Sequence, residues 1–212
     1  MIDLYCERIA PGLLAEPLNA LSNLLFIVAA IVIATRAITM RQTDTQWLCL
    51  LLMLIGIGSG LFHTFATSWS QWADVIPIAL FQLTYLGLFL SRLLGFQRHQ
   101  CALILISFSA SLGIAGQSAN LLNGSLAYLP AALVLLVLGV NRWRVENTPT
   151  VFIAAAIFLL SLTARSVDLA LCSVWPYGTH FVWHALNALV LGLVLNAYCD
   201  SRYRLAGLTT AD

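Results

Sequence analysis

The stretch Gln46-Trp-Leu-Cys-Leu-Leu-Leu-Met-Leu-Ile-Gly-Ile-Gly-Ser-Gly-Leu-Phe-His-Thr64 decides the fold. It contains no Asp, Glu, Lys or Arg, and about 20 consecutive apolar residues in a helix cross the roughly 30 Å hydrocarbon core of a bilayer. Outward from it lie six further apolar runs: Glu16–Ala37, Asp74–Leu94, Gln100–Gly116, Ser125–Val140, Pro149–Leu171 and Thr179–Cys199. Polar and turn-forming residues separate them at Arg41–Thr45, Ser68–Trp72, Asn123-Gly124, Glu146–Pro149 and Trp175–Gly178. The expectation is an all-α polytopic membrane protein, a bundle of seven transmembrane helices. Residues 1–212 read as one membrane domain, with 1–15 a short extracytoplasmic N-terminal segment and 200–212 a short cytoplasmic tail. The first fifteen residues lack a charged leader and a cleavage site, so no signal peptide is expected.

Composition agrees. Of 212 residues, 60% are hydrophobic and 9% charged, where an ordinary soluble domain carries about 25% charged residues. The mean hydropathy of +0.90 and the formal charge of +1 exclude a soluble enzyme, a disordered tail and a cationic nucleic-acid binder. All ten basic residues are Arg. Arg36, Arg41, Arg92, Arg98, Arg142, Arg144, Arg202 and Arg204 all fall on one side of the seven runs, and the three opposite loops contain none. By the positive-inside rule that side is cytoplasmic, which places the N-terminus outside and the C-terminus in the cytoplasm. No tandem repeat is visible, so a transporter built of two halves gains no support.

Ionisable groups within the spans carry the functional argument, because they are costly in a membrane. Glu16 opens the first run, His63 closes the second with Ser59 one turn before it, and Asp74 opens the third. Arg165 and Asp168 lie near the outer end of the sixth run, and His180 and His184 open the seventh. Five helices thus bring these groups to one depth near the outer boundary. His180 and His184, at i and i+4, project from one helix face, a spacing used by zinc-binding helices. His63 supplies a third neutral nitrogen, and three protein ligands with one open position describe a catalytic zinc. Asp74 is placed to move a proton from water, and Ser59 to donate to a developing oxyanion. Plainer readings stand beside these. Ser59 lies among Gly56, Gly58 and Gly60, which favour close helix packing, and Arg165 with Asp168, at i and i+3, reads as a supporting structural ion pair. His99 falls in a cytoplasmic loop.

The segments Gly58-Ser-Gly-Leu-Phe-His63, Asp74-Val-Ile-Pro77 and Gly178-Thr-His-Phe-Val-Trp-His184 resemble the signature of the alkaline ceramidases. These are seven-helix membrane amidases related to the progestin and adiponectin receptors. Cys6-Glu7, Glu16-Pro-Leu-Asn19 and Ser22-Asn23 are similar to that family's opening segment. The resemblance runs from about Asp3 to Tyr198. It implies zinc on His63, His180 and His184, with Asp74 and Ser59 catalytic. It also implies a calcium ion on acidic residues of the opening segment, here Glu7, Glu16 and Asp3. The family's Asp-Trp-Cys-Glu run appears as Asp3-Leu-Tyr-Cys-Glu7, one residue longer. Without calcium, Glu16 would favour the N-terminus of the first helix. Cys6 and Cys172 are the two cysteines on the outer side. An oxidising compartment would bridge them, as the resemblance also suggests; otherwise they are two unpaired small residues.

Together these readings imply an intramembrane zinc-dependent amidohydrolase that cleaves ceramide or another N-acyl lipid to an amine and a fatty acid. Its partner is a membrane lipid and not a nucleic acid. The short loops favour a bacterial inner membrane with the site toward the periplasm, the alternative being an ER or Golgi membrane with a luminal site. A progestin/adiponectin-type receptor would share the zinc residues but carry a cytoplasmic N-terminus. A transporter would need polar groups through the whole bilayer, whereas Gln82 stands almost alone near mid-span.

Overall fold

Long apolar runs have nowhere to place their backbone polar groups in lipid except within a helix, and the structure is built accordingly. A computed structural model describes residues 1–117 and 121–209. Among the described residues there are helices and turns but no strand. The elements are α1 (Pro17–Ser22), α2 (Leu24–Thr39), α3 (Thr43–Phe65), α4 (Ser68–Leu88), α5 (Arg98–Gly116), α6 (Leu129–Glu146), α7 (Thr150–Leu171) and α8 (His180–Thr209). A π-turn at Phe89–Leu93 extends α4 and a 3₁₀ segment at Leu121–Tyr128 leads into α6. Counted as continuous spans, seven helices are long and apolar enough to cross a membrane, which is the expected fold class.

Each helix packs on the next along the chain, and α8 returns to pack on α2, so the spans close into a ring. The interior is filled by Phe26, Leu48, Leu52, Phe89, Leu195 and Tyr198, among others. α5 packs most loosely, with Cys101 and Phe108 its buried residues. Alternating direction puts the starts of α1, α4 and α8 and the ends of α3 and α7 at one end of the ring. The eight arginines named above lie at the other. There Arg202 Nε bonds Asp44 Oδ2 at 3.1 Å, Tyr198 donates to Asp44 at 2.8 Å, and Arg36 pairs with Asn196 and Asp200.

Two boundaries depart from the sequence reading. α4 starts at Ser68, six residues before the apolar run, because Thr67 and Ser70 form a reciprocal capping box around the first turn. Asp74 therefore lies nearly two turns inside α4 and does not open it. The expected tail from residue 200 continues α8 through Thr209, and residues 210–212 of that tail lie outside the described part. Where α3 gives way to α4, Ala66 takes a left-handed conformation with φ 47°. A Cβ on Gly58 would collide with the Ala73 carbonyl, so glycine lets α3 approach α4 closely and brings Ser59 near the Asp74 turn.

Candidate active site

Three histidines from two helices meet at the end of the ring opposite the arginines. His63 near the end of α3 and His180 and His184 in the first two turns of α8 are 1%, 1% and 2% exposed. Their ring centroids are 4.5 to 5.1 Å apart. One ligand nitrogen from each falls within 4.8 Å of the others, so the group is able to hold a metal ion.

Neighbours orient two of the rings. Glu16 Oε2 lies 2.5 Å from His63 Nδ1. A carboxylate only accepts, so Nδ1 carries the proton and Nε2 keeps its lone pair. The Ser22 hydroxyl lies 2.8 Å from His184 Nδ1 and gives its own hydrogen to the Asn19 carbonyl at 2.9 Å. It must therefore accept from Nδ1–H, which again leaves Nε2 free. His180 Nδ1 is buried without any hydrogen-bond partner. A buried imidazole nitrogen left unsatisfied costs free energy unless something fills it, and a metal ion does so. Neutral nitrogens with a carboxylate or hydroxyl behind them suit zinc. The donor set fits the metal the sequence implied.

Glu16 is held in turn. Its Oε1 accepts from Arg8 Nε at 2.5 Å and its Oε2 also accepts from Asn19 Nδ2 at 3.0 Å. Arg8 is 4% exposed and donates as well to the His63 carbonyl at 2.9 Å. Bonds from His63, Asn19 and Arg8 thus converge on this one buried carboxylate, and the guanidinium balances its charge. No spacing rule marks Arg8, Ser22 or Asn19 as functional. Their partners lie 55 and 162 residues away or on the other side of a turn, and only the fold joins them.

Asp74 and Ser59 both line a cavity of about 180 Å³ that opens beside His180 and His184. The cavity follows α8 from His180 to Val194, about 20 Å of helix axis. Its deeper walls are apolar, with Ile78, Phe81, Leu135 and Phe158 among them. Asp74 Oδ1 is buried and has no hydrogen-bond partner. The structure therefore brings Asp74 and Ser59 to one cavity with His180 and His184, and His63 packs against those two rings.

Two sequence readings are corrected here. Arg165 and Asp168 do not form an ion pair. Asp168 is fully buried and caps α8: its Oδ1 accepts from Thr179 N at 2.6 Å and His180 N at 2.9 Å, and its Oδ2 from Cys6 N at 3.1 Å. Bare N–H groups at a helix start outcompete a side chain one turn away. Arg165 turns instead to the cavity, its guanidinium carbon 5.4 to 5.7 Å from the rings of Tyr128, Trp183 and Tyr5.

The calcium reading also fails on the residues present. Asp3 is exposed. Glu7 spends both oxygens on the start of α1, accepting from Leu18 N at 2.6 Å and Asn19 N at 2.8 Å. Burial raises its carboxyl above the usual value despite those bonds. Glu16 is committed to Arg8, Asn19 and His63, so the guanidinium already neutralises the charge a hard cation would need. A calcium-selective chelator is accordingly expected to leave the thermal unfolding temperature within about 1 °C. A larger drop that added calcium reverses would overturn this assignment.

Cys6 and Cys172 form a disulfide, their Cα atoms 5.3 Å apart. It ties the N-terminal segment to the end of α7 beside Asp168. Gly178, at φ 63°, fits under this knot, because a Cβ there would meet both Asp168 and Cys6. The bridge closes a long loop, and replacing both cysteines by serine is expected to cost about 2–5 kcal/mol. Thermal unfolding with and without reductant measures it, and an unchanged midpoint would refute that cost.

Against known proteins, the family model described as Ceramidase matches residues 5–206. No curated protein matches the chain. The match runs from the segment bearing the disulfide through most of the last helix and takes in His63, His180, His184, Asp74 and Ser59. The chain belongs to the ceramidase family, membrane-embedded hydrolases of the amidase type.

Proposed function

We propose that this family member is a zinc-dependent amidase that hydrolyses the N-acyl bond of ceramide or a related N-acyl lipid. The observation that carries the reading is the buried His63–His180–His184 cluster opening on an apolar slot with an unpartnered carboxylate at its rim. The three histidines would hold the ion, and zinc bound there would polarise the amide carbonyl and make water acidic. The apolar wall from Phe81 to Val194 takes the acyl chain and sets the amide at the level of the histidines. Asp74 accepts a proton from water at Oδ1 and delivers it to the departing amine nitrogen. Ser59 donates its hydroxyl hydrogen to the carbonyl oxygen as negative charge develops there. Glu16 and Ser22 hold two rings with their Nε2 atoms inward.

In the same proposal the arginine end faces the cytoplasm and the site faces the opposite compartment. A disulfide at the histidine end supports an oxidising environment there. A C-terminal reporter active only in the cytoplasm tests the orientation. For the chemistry, purified protein is expected to hold about one zinc per chain and to release fatty acid from N-acyl sphingoid lipids in detergent. Protein that hydrolyses these lipids without zinc sinks the metal assignment. Zinc-loaded protein that releases nothing from any N-acyl lipid sinks the amidase.

A further inference from the structure

Arg165 has no carboxylate partner among the described residues. It projects from α7 into the slot, within the membrane-spanning part, where an uncompensated cation is expensive. A guanidinium offers five N–H donors, yet the one hydrogen bond its side chain makes among the described residues is from Nη1 to the Tyr5 hydroxyl at 3.3 Å. Its Nε is buried and unpartnered. Tyr5 is no counter-ion, because a phenol hydroxyl carries no charge below its ordinary pKa of about 10. Three aromatic faces, those of Tyr5, Tyr128 and Trp183, hold the group in place. Aromatic faces steady a cation but leave its in-plane donors free.

Charge around the slot points the same way. Asp74 and Arg165 are the charged side chains lining it, beside neutral histidines. The carboxylate behind His63 is already balanced by Arg8. With a divalent ion on the histidines, the rim of the slot carries net positive charge. The acyl chain fills the apolar depth, so the free donors of Arg165 face the part of the ligand near the amide.

We propose that the site selects N-acyl lipids whose amine half carries an anionic group close to the amide, and that Arg165 is the residue that binds that group. The inference rests on the amidase reading for the acyl-chain placement. A carboxylate and a phosphate share the required chemistry, since both accept two parallel bonds from a guanidinium.

Binding to the zinc-loaded protein in neutral detergent tests this without any turnover. N-dodecanoylglycine and N-dodecanoyl-aminoethyl phosphate are the charged probes, and N-dodecanoylglycinamide is the neutral one. The expected result is that at least one charged probe binds about tenfold or more tightly than the neutral one. Which of the two binds distinguishes an amino-acid from a phosphate headgroup. Arg165→Gln is expected to bring the charged-to-neutral ratio close to one. Should that variant fail to fold, Arg165→Lys carries the test, because it keeps the charge without the planar fork and lowers the ratio severalfold. Equal binding of all three probes to the unmodified protein overturns the inference. A ratio that survives in the folded variants also overturns it, by assigning the anion to the metal. If ceramide is hydrolysed while the probes bind equally, the amidase stands and the selectivity falls. If none of the probes binds, the selectivity falls, and ceramide hydrolysis alone decides the amidase.

Discussion

Asp74→Asn is expected to lower kcat for amide hydrolysis by roughly 100- to 10,000-fold, while the purified variant keeps its zinc. The substitution is nearly isosteric, so the packing of α4 on α3 at Gly58 is retained. An amide cannot take a proton from water or return one to the amine nitrogen. Oδ1 of Asp74 has no partner to lose, so little stability goes with it. The nitrogens that would hold zinc are all on histidines, which separates this variant from one that empties the site. Metal analysis and single-turnover release of fatty acid check the two halves. A fall of less than about tenfold would mean that another group carries the proton.

Glu16→Gln is expected to act one step further back, on both metal affinity and stability. Glutamine can still accept from His63 Nδ1–H, but it no longer neutralises Arg8, whose side chain is 1% exposed. Leaving one member of a buried pair uncompensated costs about 3–5 kcal/mol. Loss of a carboxylate behind a metal-binding histidine typically weakens the metal by about 10–100-fold. Zinc competition against a chelator and thermal unfolding measure the two effects separately. Adding Arg8→Met to Glu16→Gln should recover much of the stability, since no buried charge then remains, while the metal affinity stays low. If Glu16→Gln binds zinc within about twofold of the parent, the Arg8–Glu16–His63 chain does not orient the ring.

How far the site was legible depended on what kind of rule fixed each residue. His180 and His184 lie one turn apart on a helix, so their shared face follows from the 3.6-residue repeat. His63 follows from depth, because it closes its apolar run, whereas Asp74 reaches the same cavity from nearly two turns inside α4, a start that the apolar run does not mark. Arg165 and Asp168 show where local spacing runs out. Their i, i+3 spacing permits a pair, but the choice of partner was made by the unbonded N–H groups at the start of α8, which arrive from twelve residues away. Arg8 shows the same limit: nothing local tells a salt bridge to Glu16 from a calcium site.

The seven helical spans were determined by the sequence itself. In lipid the backbone has one economical conformation, and the length of each apolar run makes it a helix that spans the bilayer. The presence of three histidines and an acid at one level follows from that. Only the tertiary structure decided which acid serves which base, that Arg8 stands where a cation was expected, and that Arg165 faces the slot. Those outcomes turn on hydrogen-bond geometry between residues distant in the chain, where several partners of like charge compete for the same donors and distances of an ångström choose among them.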